Sequence, residues 1–314
     1  MATTEQETLG NPMSSPTKRR RSGPVALLVA MRPKQWTKNL LVFAGLLFTI
    51  DAHHGATDFL RACFGFIAFS LLSSSTYLIN DVLDVETDRN HPKKQFRPIA
   101  AGELSPSAAI IAALLMTVGM LAFSFHLDFK FGLCTVAYMV LTTAYTFKLK
   151  HVVILDLLVL ASGFVLRAIG GARVIPVQIS PWLVLCTLLL ALFLAISKRR
   201  GELVAVSQGR RHARPILSEY TAAMLDQMNT IVTSALMMSY ALYTIQSDTA
   251  HHHNYLMASI PFVIYGIFRY LYLIHRHEKG ETPDEILLQD RPLLISILLW
   301  GLTTGIVILH PWSR

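Results

Sequence analysis

The chain has 314 residues, of which 53% are hydrophobic and 15% charged, where an ordinary soluble domain carries roughly 25% charged residues. With a mean hydropathy of +0.45, that composition excludes a soluble globular class and leaves an integral membrane protein. The net charge of +8 then points to anionic lipid headgroups and phosphorylated substrates rather than to nucleic acid.

Residues 1–24, rich in Ser, Thr, Pro and Glu and closing on "KRRRSG", read as a disordered basic tail on the headgroups. Residues 25–314 read as one all-α transmembrane domain. Apolar runs near the ~20 residues of a spanning helix fall at 38–50 (extended backwards through 25–37), 59–80, 106–126, 131–147, 153–170, 181–197, 222–246, 255–275 and 292–310. Nine helices are expected, because each lipid-exposed amide must be satisfied within its own segment. Cys63, Cys134 and Cys186 all lie inside apolar runs, which fits packing and not a disulfide framework. The "HHHN" at 251–254 reads as a solvated loop.

Lys and Arg set the orientation. With nine spans, 23 of the 28 basic residues fall on one side, which places the N-terminus in the cytoplasm and the C-terminus outside. All the charged loops that hold chemistry then face the cytoplasm. Lys34, Lys38 and Asn39 stand at the entrance of the first span, with Trp36 as an interfacial anchor. Arg167, late in an apolar segment, is a functional candidate because an ionisable group inside a span is costly.

The second span ends in "LINDVLDVETDRNHPKKQFRPIAAG". At about 100° per residue, Asn80, Asp81, Asp84 and Asp88 share an arc of about 100°, while Glu86 falls on the far side. Carboxylates gathered beside a low-dielectric region repel unless a cation joins them. Oxygen-only ligands suit Mg²⁺ that also holds substrate phosphates. Arg89, Lys93, Lys94 and Arg97, close behind, meet the remaining phosphate charge, although some of this basicity is topological.

"NDVLDVETD" resembles the first aspartate-rich motif of the UbiA superfamily of membrane transferases. "MRPKQWTKNLLVFAGLLF", "YTFKLKHVVILDLLVLASGFVLRAIGGA" and "SKRRGEL" extend that likeness over residues 25–314 and narrow it to the branch of the family that moves phosphoribose. The resemblance implies a nine-helix UbiA-type bundle in the plasma membrane. It also implies Mg²⁺-dependent transfer from 5-phosphoribosyl 1-diphosphate to decaprenyl phosphate for cell-wall arabinan, with release of diphosphate. Typical members carry a second acidic motif after span four. Here that region reads Tyr145, Lys148, Lys150, His151 and Asp156, with Val152 in place of the other acid. Asp81, Asp84, Asp88 and Asp156 are thus the expected catalytic acids. Lys34, Asn39, Asn80, Tyr145, Lys148, Lys150, Arg167, Lys198 and Arg199 join the basic group as expected substrate contacts. A prenyltransferase acting on an aromatic acceptor and an anion transporter stay open as alternatives, and a homo-oligomer stays open as a state.

Overall fold

The computed structural model describes residues 21–48, 55–175, 177–178, 180–209, 215–253, 255–277, 286 and 289–309. Most of the basic tail, Arg210, Arg211 and Arg214 and the end of the "HHHN" run lie outside them. Every regular element among the described residues is helical. The principal helices are α1 (Gly23–Ala30), α2 (Ala44–Phe48), α3 (Ala56–Leu83), α4 (Val85–Arg89), α5 (Pro106–Leu127) and α6 (Phe129–Phe147). They continue with α7 (Leu155–Val174), α8 (Pro181–Ser207), α9 (Ala222–Gln246), α10 (Asp248–His252), α11 (Ile260–His277) and α12 (Arg291–Leu309). Among the described residues, six segments are long and apolar enough to cross a membrane: α3, α5, α7, α8, Leu256–Arg276 and α12.

The caps follow the sequence. Ser105 accepts from the Ala108 amide at 3.2 Å ahead of Pro106, and Asp128 accepts from Phe131 at 2.8 Å. Each satisfies an amide that the first turn leaves without an intrahelical partner. The outward faces are apolar. Ile111, Leu114, Leu115 and Val118 of α5 and Leu298, Leu302 and Leu309 of α12 are exposed, which in this chain means exposed to lipid.

The first apolar region departs from expectation. A helix running back through 25–37 is interrupted: α1 stops at Ala30, and Pro33–Phe43 forms an 11-residue 3₁₀ helix. Pro33 lacks an amide hydrogen and disfavours the helical conformation in the residue before it. Arg32, between the two helices, has φ 56°, a left-handed conformation that the proline does not itself require and that its surroundings hold. The 3₁₀ geometry matches the neighbouring α3. Asn39 Nδ2 donates to Ser70 Oγ at 3.0 Å, and Trp36 Nε1 donates to Ser74 Oγ at 3.0 Å. Three residues of a 3₁₀ helix rise about 6 Å, and so do four residues of an α-helix. The two elements therefore stay in register as they run antiparallel.

One core lies where this strut, α3, α6 and α7 meet. Phe69 makes edge contacts with Phe131 and Tyr138, at centroid separations of 5.8 and 5.4 Å. At Gly171 an added Cβ would stand 2.0 Å from the Val42 carbonyl oxygen, so only glycine admits the strut there. Phe69 faces Gly170. Because α3 and α7 run in opposite senses, twelve residues along each bring Asp81 level with Leu158, within a turn of Asp156. The two acidic regions therefore share one end of the bundle.

Candidate functional site

The first cluster forms where α3 gives way to α4. The expected single helix through the acids is stepped. α3 ends at Leu83 and α4 restarts at Val85, with Asp84 between them at φ −93°, ψ 8°. Bonds from the Asp84 amide to the Asn80 carbonyl (2.9 Å) and from the Asp88 amide to the Asp84 carbonyl (2.8 Å) carry the helical pattern across the step. Asp81 and Asp88 keep to one face, and both are buried. Arg97 bridges them: its Nη1 donates to Asp81 Oδ1 at 3.0 Å and to Asp88 Oδ2 at 2.5 Å. Arg32 donates to the same oxygen of Asp81 and stacks over Tyr77 at 4.9 Å. The Lys94 ammonium lies 3.5 Å from Asp88 Oδ1. Asn80 and Asp84 are half-buried alongside.

The donor set fits Mg²⁺. It is all oxygen, and Asp88 Oδ1 is buried without a hydrogen bond, with the Lys94 ammonium 3.5 Å away as its nearest charge, so a hard cation at this oxygen would take the place of that ammonium. As they stand, no three acidic, His or Cys side chains among the described residues are grouped closely enough to hold a metal ion. Arg32, Arg97 and Lys94 hold that charge instead.

The second cluster joins α7, α8 and the segment before α9. Asp156 is fully buried. Arg199 binds Asp156 Oδ2 through Nε and Nη2, both at 2.8 Å, and binds Glu202 through Nη1 at 2.7 Å. The Tyr220 hydroxyl donates to Asp156 Oδ1 at 2.7 Å and accepts from the Ile154 amide at 2.7 Å. Burial, reinforced by the Asp156 carboxylate it donates to, pushes the Tyr220 phenol up to about 12. Ile154 sits at φ 68°, ψ −44°, and the Leu155 amide bonds the Val153 carbonyl at 2.8 Å. This is a γ-turn of the rare positive-φ kind, and it costs a β-branched residue about 1–3 kcal/mol. Removing Arg199 leaves the buried Asp156 carboxylate without its cation, at about 3–5 kcal/mol.

The expected site residues thus divide. Asp81, Asp88, Lys94 and Arg97 come together, with Asp84 near enough to Asp81 to interact with it electrostatically; Asn80, one residue before Asp81, lines a neighbouring cavity with Ser75, Thr117 and Thr146. Arg89 turns away to Glu86 at 2.8 Å. Lys34, Lys93, Lys148 and Lys198 are exposed around the same end, with Tyr145 and Lys150 half-buried. Tyr145 lies near enough to Arg199 to interact with it electrostatically. Asp156 and Arg199, expected to face substrate, are committed to each other inside the protein, because a buried charge needs its partner. Asn39 and Arg167 are also committed to each other, one layer deeper: Arg167 Nε donates to Asn39 Oδ1 at 2.6 Å. Arg32 and Tyr220 were missed. Arg32 looked like topological charge, and its one signal was its place directly before Pro33.

The chain matches the UbiA prenyltransferase family over residues 39–287 and belongs to it. Two curated relatives carry one description, decaprenyl-phosphate phosphoribosyltransferase. That of Mycolicibacterium smegmatis is 36% identical, over 98% of this chain and 99% of its own length. That of Corynebacterium glutamicum is 34% identical, over 87% of this chain and 84% of its own. The fold is that of a UbiA homologue from Archaeoglobus fulgidus solved with DMAPP and Mg²⁺. The TM-score is 0.68 and the identity 18%, covering 90% of this chain and 99% of that one.

Proposed function

We propose that this chain transfers 5-phosphoribose from 5-phosphoribosyl 1-diphosphate to decaprenyl phosphate, releasing diphosphate, in the supply of lipid-linked pentose for cell-wall arabinan. The observation that carries this reading is the state of the second acidic site. Its one aspartate, Asp156, is enclosed by Arg199 and Tyr220, and the segment leading into it carries Lys148, Lys150 and Val152 where a second metal-binding acid pair would be. Such a site suits substrates richer in phosphate than a prenyl diphosphate and an aromatic acceptor. The full-length likeness to relatives bearing that name supports it.

Asn80, Asp81, Asp84 and Asp88 would hold Mg²⁺, which neutralises a diphosphate leaving group. Arg97 and Lys94 fix the orientation of Asp81 and Asp88. Arg32 and the exposed Lys34, Lys93, Lys148 and Lys198 meet the 5-phosphate and the acceptor phosphate. The bond from the anomeric carbon to the diphosphate oxygen breaks and its electron pair leaves with diphosphate. An acceptor phosphate oxygen closes on the opposite face and inverts the centre. That oxygen is already ionised near pH 7, so alignment and charge complementarity do the catalytic work without a general base. The chain crosses the plasma membrane nine times with its N-terminus and this site in the cytoplasm, consistent with the distribution of basic residues.

The test is purified protein in liposomes with decaprenyl phosphate and 5-phosphoribosyl 1-diphosphate, with and without Mg²⁺, the lipid product being read by mass spectrometry. Mg²⁺-dependent phosphoribosylated decaprenyl phosphate is expected. Product formed only when prenyl diphosphate and an aromatic acceptor are supplied would overturn the assignment.

A further inference from the structure

Arg167 is a buried cation far from the acids. Its partners among the described residues are neutral: the Asn39 amide oxygen (2.6 Å), the Gly163 carbonyl (2.7 Å), the Tyr138 hydroxyl (2.9 Å) and the faces of the Tyr138 and Phe164 rings. A charge kept at that depth is costly, and an apolar side chain of similar size would fill the space without that cost. What an apolar side chain would lack is direction. A guanidinium fork fixes the position and angle of whatever it binds, whereas apolar contacts let packed elements slide.

The group that Arg167 fixes belongs to the strut. Asn39 lies just past the middle of the 3₁₀ helix Pro33–Phe43, whose near end begins directly after Arg32. From Asn39 the line of contacts passes through Ser70, then Trp36 and Ser74, then Met31, whose carbonyl accepts from Ser74 Oγ at 3.0 Å. It ends with the Arg32 guanidinium on Asp81. A 3₁₀ run this long is uncommon, and an Arg at φ 56° is held by its surroundings and not by preference.

We infer that Arg167 is a positioning residue: by clamping Asn39 it fixes the 3₁₀ strut against α3 and so sets the Arg32 guanidinium on Asp81. The assignment rests on the reading that the Asp81 face holds the donor. It moves Arg167 and Asn39 from substrate contact to support of a contact made about 14 Å away along the strut.

A double-mutant cycle between the two ends tests it, using Asn39→Ala, Arg32→Gln and the pair, each read as kcat/KM for the donor. Asn39→Ala is expected to lower kcat/KM about tenfold. The pair should fall within about twofold of Arg32→Gln alone, because both changes remove one function. Asn39→Asp, which keeps an acceptor for the guanidinium, should recover most of the loss. Multiplicative effects in the pair, or wild-type kcat/KM in Asn39→Ala, would overturn the inference. If Asn39→Ala does not fold, Ser70→Ala takes its place in the cycle, loosening Asn39 without uncovering Arg167. The cycle is run with whichever donor the wild type consumes. Failure of phosphoribosyl transfer then sinks the substrate assignment and leaves the positioning role to be judged on the cycle.

Discussion

Asp84 stands at the step between α3 and α4, half-buried between two acids whose charge Arg32, Arg97 and Lys94 already balance. Asp84→Asn keeps the shape and the backbone bonds of the step but removes one carboxylate from the set proposed for the ion. Expression and helicity should stay near wild type. Turnover should fall about 10²-fold or more, since an ion in such a site supplies several kcal/mol of charge stabilisation; a product assay on the purified variant measures this. Tyr220 gives a pH signature. Its phenol is neutral when it donates to Asp156, and its pKa is raised to about 12 from an ordinary 10.0. The stability tied to that proton is therefore fully present below pH 10 and lost as pH rises through about 12. Thermal unfolding in detergent should show wild type losing stability relative to Tyr220→Phe across that window. At this scale the acids were legible, because their spacing puts them on one face whatever surrounds them. Tyr220 was not: it is 64 residues from Asp156 in sequence, and only the packing of the segment before α9 brings them together.

At the scale of elements, the strut and its neighbours decide the architecture of the site. The strut approaches α7 so closely at Gly171 that a Cβ would meet the Val42 carbonyl oxygen at 2.0 Å, whereas at Gly119 of α5 a Cβ would meet nothing within 4 Å. Gly171→Ala should therefore destabilise by about 1–3 kcal/mol, as overpacking of a rigid contact does, and should lower activity by displacing Arg32. Gly119→Ala should be neutral or slightly stabilising, because alanine favours the helix. Paired unfolding curves of the two variants make the comparison. Most helices were legible as apolar runs: those expected at 106–126 and 222–246 differ from α5 and α9 by a residue or less at either end. The first region was misread because hydropathy is blind to φ. "MRPKQW" sits beside apolar residues, yet Pro33 forbids the continuous helix that length alone suggests.

The whole molecule separates its surfaces by chemistry. Large apolar side chains cover the outward faces of α5 and α12, while the acids and their partners gather at one end, where α3 and α8 finish and α7 begins. That separation was legible in the placement of charge along the chain. The pairing of individual charges was not, since only the folded bundle decides whether an arginine such as Arg199 faces solvent or is consumed inside. The acids at the first cluster are matched by guanidinium and ammonium groups, so the exposed Lys34, Lys93, Lys148 and Lys198 leave the approach to the site electropositive. Under the proposed function an anionic donor would be drawn in by that field, which mobile ions weaken over a Debye length of about 8–10 Å at moderate ionic strength. Raising sodium chloride should therefore depress capture of dilute donor while sparing turnover at saturation, and polyanions should act as competitive decoys. The rim lysines would then set how fast the donor arrives, apart from any chemistry done once it is bound.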